Sequence, residues 1–123
     1  NMTVFYVFIG GGLGAVLRFL IGKASSFIFD QNFPIGTLIA NLFSCIILGI
    51  CIYGIADGKW MGFNLKPLLI VGFCGGLSTF STFSFETIEL IKSQNFTLAV
   101  CNVILSVVMC IAVLYFFSKL KLN

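Results

Sequence analysis

Four apolar runs, at about 4–22, 34–55, 65–91 and 96–117, take up nearly all of this 123-residue chain. Each is long enough to cross a hydrocarbon layer of about 30 Å, which needs about 20 helical residues. In lipid every backbone polar group must find its partner inside the protein, so the runs are expected to be helices. With 59% hydrophobic and 9% charged residues and a mean hydropathy of +1.13, the chain lies well outside the range of soluble domains. The expected fold is an all-α membrane protein, a single four-helix transmembrane domain over 1–123. No soluble catalytic domain fits beside the spans, so any function resides within them. The first run has no basic residues before it and exceeds a signal h-region in length, which makes it a first span rather than a cleaved leader.

The third run constrains function most. Between Gly72 and Glu86 it packs three glycines and a dense series of hydroxyl residues into an apolar stretch. Glycine does not shield a helical turn, so the Gly75–Gly76 pair is the expected place for this helix to open, near 75–78. At 27 residues the run is longer than one straight crossing needs, which suits two half-helices. Opened carbonyls at membrane depth are tolerated when they line a cavity or hold an ion, so the segment points to an ion or solute path. Beyond the opening, helical spacing puts Phe80 and Phe83 on one face, Thr79 with Thr82, and Ser81 with Ser84. Glu86 and Glu89 mark the exit into water.

The other spans carry fewer polar groups. In the first, Gly11, Gly14, Ala15, Arg18 and Gly22 form a small-residue stripe along which another helix can approach. Arg18 either snorkels to the headgroups or faces protein or an aqueous vestibule, and its stripe favours the second. Span two opens on Pro34, with Gly36 and Ala40 at small-xxx-small spacing and Thr37, Asn41 and Ser44 on a nearby face. The Asn41 amide needs either a neighbouring helix or a bound solute. A polar connection at 56–64, with Asp57, Gly58, Lys59 and Trp60, precedes span three. On span four Asn102, Ser106 and Cys110 form an i, i+4, i+8 row, suited to gluing helices or to lining a polar track.

Charge and cysteine content narrow the options. The net charge of +3 comes with no basic cluster, so neither nucleic acid nor an anionic surface is indicated as a partner. Cys45, Cys51, Cys74, Cys101 and Cys110 share no metal-ligand spacing and are read as small packing residues. Lys59, Lys66, Lys119 and Lys121 fall on the side of both termini, against Lys23 and Lys92 with Arg18 near the other. So weak a bias permits insertion in both orientations and an antiparallel pairing of two copies.

With no nucleophile–base pair, no phosphate loop and no histidine, catalysis is not expected. Permeation suits the inventory better. Hydroxyls and an amide can replace hydration water, and carbonyls can hold a cation. A benzene ring is positive at its edge, so Phe80 and Phe83 presented edge-on would favour an anion in an apolar pore.

Three motifs carry a resemblance to a known family. Gly11-Gly12-Leu-Gly14-Ala15-x-x-Arg18, Pro34-x-Gly36-Thr37-x-x-Ala40-Asn41 and the run from Gly72 through Gly75-Gly76-x-Ser78-Thr79-Phe80-Ser81-Thr82-Phe83-Ser84 to Glu86 are similar to the Fluc (CrcB) fluoride channels. The resemblance spans all four runs. It implies a dual-topology antiparallel homodimer in a microbial plasma membrane that passively exports fluoride through two pores. A structural sodium would sit between the subunits on the main-chain carbonyls of Gly75 and Ser78. The fluoride pathway would be lined by Asn41, Phe80, Phe83, Ser81, Thr82, Thr37, Ser84, Asn102 and Ser106, with Arg18 and Glu86 at a vestibule or in a structural role. The rival reading is a small multidrug-type exporter, also short and antiparallel. Such exporters need a carboxylate in the first span, where this chain has Arg18, so no drug-like substrate is expected.

Overall fold

Residues 2–29, 32–54 and 65–122 are described by a computed structural model. Asp30 and the expected connection at 56–64, with Asp57, Gly58, Lys59 and Trp60, lie outside the described residues. Four helical crossings are long and apolar enough to span a membrane: Met2–Ile28, Ile35–Tyr53, Pro67–Lys92 and Phe96–Leu120. The protein is therefore a multi-pass integral membrane protein, all-helical over its described residues.

Helix α1 is Met2–Ile28, and α2 is Ile35–Gly49, extended by wide i→i+5 turns over Ile50–Gly54. The third crossing starts as wide turns over Pro67–Cys74, with Pro67 at its first turn, where a missing N–H costs nothing. One α-helical turn follows, α3 (Gly75–Leu77). Ser78 (φ −81°, ψ 157°) and Thr79 (φ −153°, ψ 122°) are both extended. Helicity resumes in α4, Phe80–Lys92, and α5 is Phe96–Leu122.

The glycines of the third crossing have a different job from the expected one. Gly75 keeps right-handed helical angles (φ −64°, ψ −36°), and the extended residues begin at Ser78, the far end of the expected range 75–78, and continue to Thr79. Thr79 does not join the helix after them but caps it, its hydroxyl accepting from Thr82 N at 3.1 Å. Gly72 and Gly76 serve contact with α1 instead. A Cβ on Gly76 would fall on the carbonyl oxygen of Gly11, and one on Gly72 would come within 2.8 Å of Val7 O. On the facing helix, a Cβ on Gly10 would strike Leu68 O and one on Gly14 would strike Phe73 O. Two glycine pairs at four-residue spacing thus bring two backbones together, with dispersion contact replacing a hydrophobic drive that lipid does not provide. Gly22 of the expected stripe, like Gly12 outside it, has nothing within 4 Å of where a Cβ would stand.

Candidate functional site

The extended residues are held by α2. Asn41 accepts from Thr79 N at 2.7 Å through Oδ1 and donates from Nδ2 to Thr79 O at 3.3 Å, clamping that residue's backbone on both sides. Of the two expected settings for Asn41, the structure shows the interhelical one, and one Nδ2 hydrogen remains. One turn further along α2, the Ser44 hydroxyl donates to Cys74 O at 2.8 Å, an oxygen that also accepts from the hydroxyl (2.9 Å) and amide (3.0 Å) of Ser78.

These bonds redistribute the donors that an unbroken helix would use. The amide due to the Gly75 carbonyl is that of Thr79, which goes to Asn41. The amide due to the Ser78 carbonyl is that of Thr82, which goes to the Thr79 hydroxyl. Between them the Gly76 carbonyl accepts from Arg18 Nε at 3.1 Å, and just after Ser78 the Thr79 carbonyl accepts from Asn41 Nδ2. The Arg18 side chain compensates Gly76, and Asn41 adds a donor to Thr79, whereas Gly75 and Ser78 lose the amides that helix geometry would have brought them. Gly75 is exposed on the single chain, with nothing within 4 Å of where a Cβ would stand.

Arg18 faces protein. Besides capping Gly76 O it lines a cavity of about 310 Å³ with Lys23, Thr37, Thr79, Thr82 and Glu86. A second cavity, about 480 Å³, lies between the end of α1 and the end of α4, and Ser25, Thr37, Glu86 and Glu89 are on its wall. Thr37 and Glu86 border both. Glu86 does not simply mark an exit into water: its Oε1 is buried with no hydrogen-bond partner among the described residues, its carboxyl facing Thr37, and α4 runs on to Lys92.

Phe80 and Phe83 sit together, with ring centroids 5.7 Å apart and planes inclined by 44°. Phe83 is 9% exposed and Phe80 78%, so one ring is inside the chain and the other is on its face. Ser81 is exposed, within 3.3 Å of the Thr79 hydroxyl, and Thr82 and Ser84 are half-buried.

Asn102 and Ser106 of the row on α5 are buried inside the chain, and Cys110 is half-buried. Ser106 donates to Asn102 Oδ1 at 3.4 Å, Asn102 Nδ2 donates to Thr87 Oγ1 at 2.9 Å, and Thr87 donates to Phe83 O at 2.8 Å. Thr87 was not among the expected site residues. Its position four residues after Phe83 was the available signal, since a helical threonine hydroxyl commonly bonds the i−4 carbonyl. Asn102 is 2% exposed, so a leucine there would leave the Thr87 and Ser106 hydroxyls short of a partner. In a double-mutant cycle of Asn102→Leu and Thr87→Val, followed by unfolding in detergent, the coupling is expected at about 0.6–1.7 kcal/mol. Additive single effects would mean that this bond does not tie α4 to α5.

A family model described as "CrcB-like protein, Camphor Resistance (CrcB)" matches residues 5–117. A Shewanella amazonensis protein named fluoride-specific ion channel FluC is 40% identical over 118 residues, covering 96% of this chain and 94% of its own. Proteins of the same name from Clostridium perfringens and Coxiella burnetii are 44% and 39% identical, over 80% and 90% of this chain and 77% and 90% of theirs. The chain therefore belongs to the CrcB family, whose relatives here carry the name of an ion channel and not of an enzyme.

Proposed function

We propose that this protein is a passive, fluoride-selective channel of a microbial plasma membrane, working as an antiparallel dimer with two pores. The observation that carries the reading is the diversion of the Thr79 and Thr82 amides from the carbonyls of Gly75 and Ser78, immediately before the Phe80–Phe83 pair. Family membership and the relatives' name supply the ion.

Fluoride is small and holds its hydration water tightly, so a selective path must offer close donors in a narrow space. In this reading the free N–H of Asn41 and the hydroxyls of Thr37, Ser81, Thr82 and Ser84 replace water along the way. Asn102 keeps one N–H of its own and, with Ser106, extends the polar edge along α5. Phe80 and Phe83 turn positive ring edges to the anion and keep out larger ones. Arg18 and Lys23, on the wall of the cavity that reaches Thr79 and Thr82, gather anions, and Glu86 sits at its edge.

Neutral carbonyl oxygens are hard ligands suited to a sodium ion, and the open face at Gly75 suits a second copy bringing the same pair from the other side. Bound there, sodium would supply a fixed positive charge that balances the inward oxygens. The carbonyls of Gly75 and Ser78 would hold it, and Asn41 and Thr79 would keep those carbonyls turned out.

The purified protein in liposomes should discharge a fluoride gradient far faster than a chloride gradient, as followed with ion-selective electrodes. Equal rates for the two halides would remove the selectivity.

A further inference from the structure

The hydrogen-bond chain between α4 and α5 runs in a fixed direction, and Thr87 sets it. A carbonyl oxygen can only accept, so the single hydroxyl hydrogen of Thr87 is spent on Phe83 O at 2.8 Å, and Thr87 Oγ1 offers only lone pairs to anything else. The group that faces those lone pairs at 2.9 Å must therefore be a donor, which in Asn102 is Nδ2. Ser106, 3.4 Å from the oxygen end of the same amide, imposes no such choice, because a hydroxyl can donate to Oδ1 or accept from Nδ2. Without the Thr87 hydroxyl, the amide could turn over and keep its bond to Ser106. Asn102 is 2% exposed, and its Nδ2 holds a second hydrogen that meets no acceptor among the described residues.

We propose that Thr87 is a positioning residue for the anion path, holding the Asn102 amide with its nitrogen toward α4 so that the unspent N–H, and not the amide oxygen, is offered two hydrogen bonds away from the Phe83 carbonyl. The role rests on the channel reading above. The sign of the amide dipole gives it weight. The nitrogen end of the side chain is positive and the oxygen end negative, so an Asn102 turned over would replace attraction of an anion by repulsion at the same place. Thr87 itself gives the anion nothing, since its hydrogen is committed to Phe83 O, and its effect passes wholly through Asn102.

Two measurements on the full chain test it. Fluoride efflux from liposomes should fall about 2–10-fold in Thr87→Val, the range that one lost hydrogen bond gives, with the same sample eluting as native on gel filtration. Thr87→Ser keeps the hydroxyl and should restore the flux. Native flux in Thr87→Val, or flux in Thr87→Ser as low as in Thr87→Val, would overturn the role. Nuclear magnetic resonance of the chain in detergent, with isotope-labelled asparagine, reads the amide itself. In the native chain the Asn102 Nδ2 protons should show Overhauser contacts to the Thr87 side chain, and fluoride, but not chloride at the same concentration, should shift their signals. Contacts to Ser106 in place of Thr87, or no shift with fluoride, would overturn the proposal. This second measurement decides even if Thr87→Val fails to fold, because it is made on the native chain. Native liposomes that hold their fluoride would sink the channel reading, whereas the Overhauser contacts would still settle which way Thr87 turns the amide.

Discussion

Gly76→Ala should cost the protein its assembly outright. The added Cβ would land on the Gly11 carbonyl oxygen, which belongs to a helix backbone and cannot swing aside as a side chain would. Relief requires α1 and the third crossing to separate along the seam where Gly10, Gly14 and Gly72 also rely on close approach. Overpacking a fitted interior costs about 1–3 kcal/mol and sometimes more, and a clash between two backbones belongs at or above the upper end. Separation would also pull Gly76 O away from Arg18, leaving a charged group at membrane depth without its acceptor. The expected result is loss of the monodisperse species in detergent, with Gly12→Ala as control because nothing lies within 4 Å of its added carbon. A Gly76→Ala protein that elutes and melts like the native one would show that the seam is looser than described.

Asn41→Asp should abolish fluoride flux while leaving the four crossings in place. The carboxylate can still accept from Thr79 N, but it presents oxygen to Thr79 O, where the amide donated. Losing that part-buried bond costs about 1 kcal/mol. The charge of an aspartate also opposes an anion at the point where the amide would have donated. At about 1.4 kcal/mol per tenfold, the two effects together should lower flux by about 100-fold or more. Efflux from liposomes, paired with gel filtration of the same sample, separates flux from assembly. Native flux in the variant would return Asn41 to a packing role.

The number and placement of the crossings were legible because hydropathy alone sets them: a run of the right length has few alternatives in lipid. The local geometry of the third crossing was less so. Gly75 and Gly76 invite an opening when seen alone, but Gly72 and Gly76 at four-residue spacing, matched by Gly10 and Gly14, state a packing seam that shows only once the partner helix is known. The residues that leave helical geometry are set from a distance, by Asn41 reaching 38 positions along the chain to Thr79. The wide turns at Ile50–Gly54 and Pro67–Cys74 left no mark in the hydrophobic pattern, since their residues are apolar on every side. Thr87 was missed because an isolated hydroxyl four residues after Phe83 gains meaning only from Asn102 on α5. Asn41 and the hydroxyl run stood out for a simpler reason: polar groups clustered in an apolar run carry a cost that only a partner offsets.

The carbonyl oxygens of Gly75 and Ser78 lose the amides that an unbroken helix would bring them, and in the proposed channel they hold a sodium ion. Fluoride efflux and dimer size should therefore be measured together in protein purified and reconstituted with sodium, and again with sodium replaced throughout by N-methylglucamine. Efflux or the dimer is expected to be lost without sodium and restored by adding it back. Identical efflux and an unchanged dimer in both preparations would contradict it.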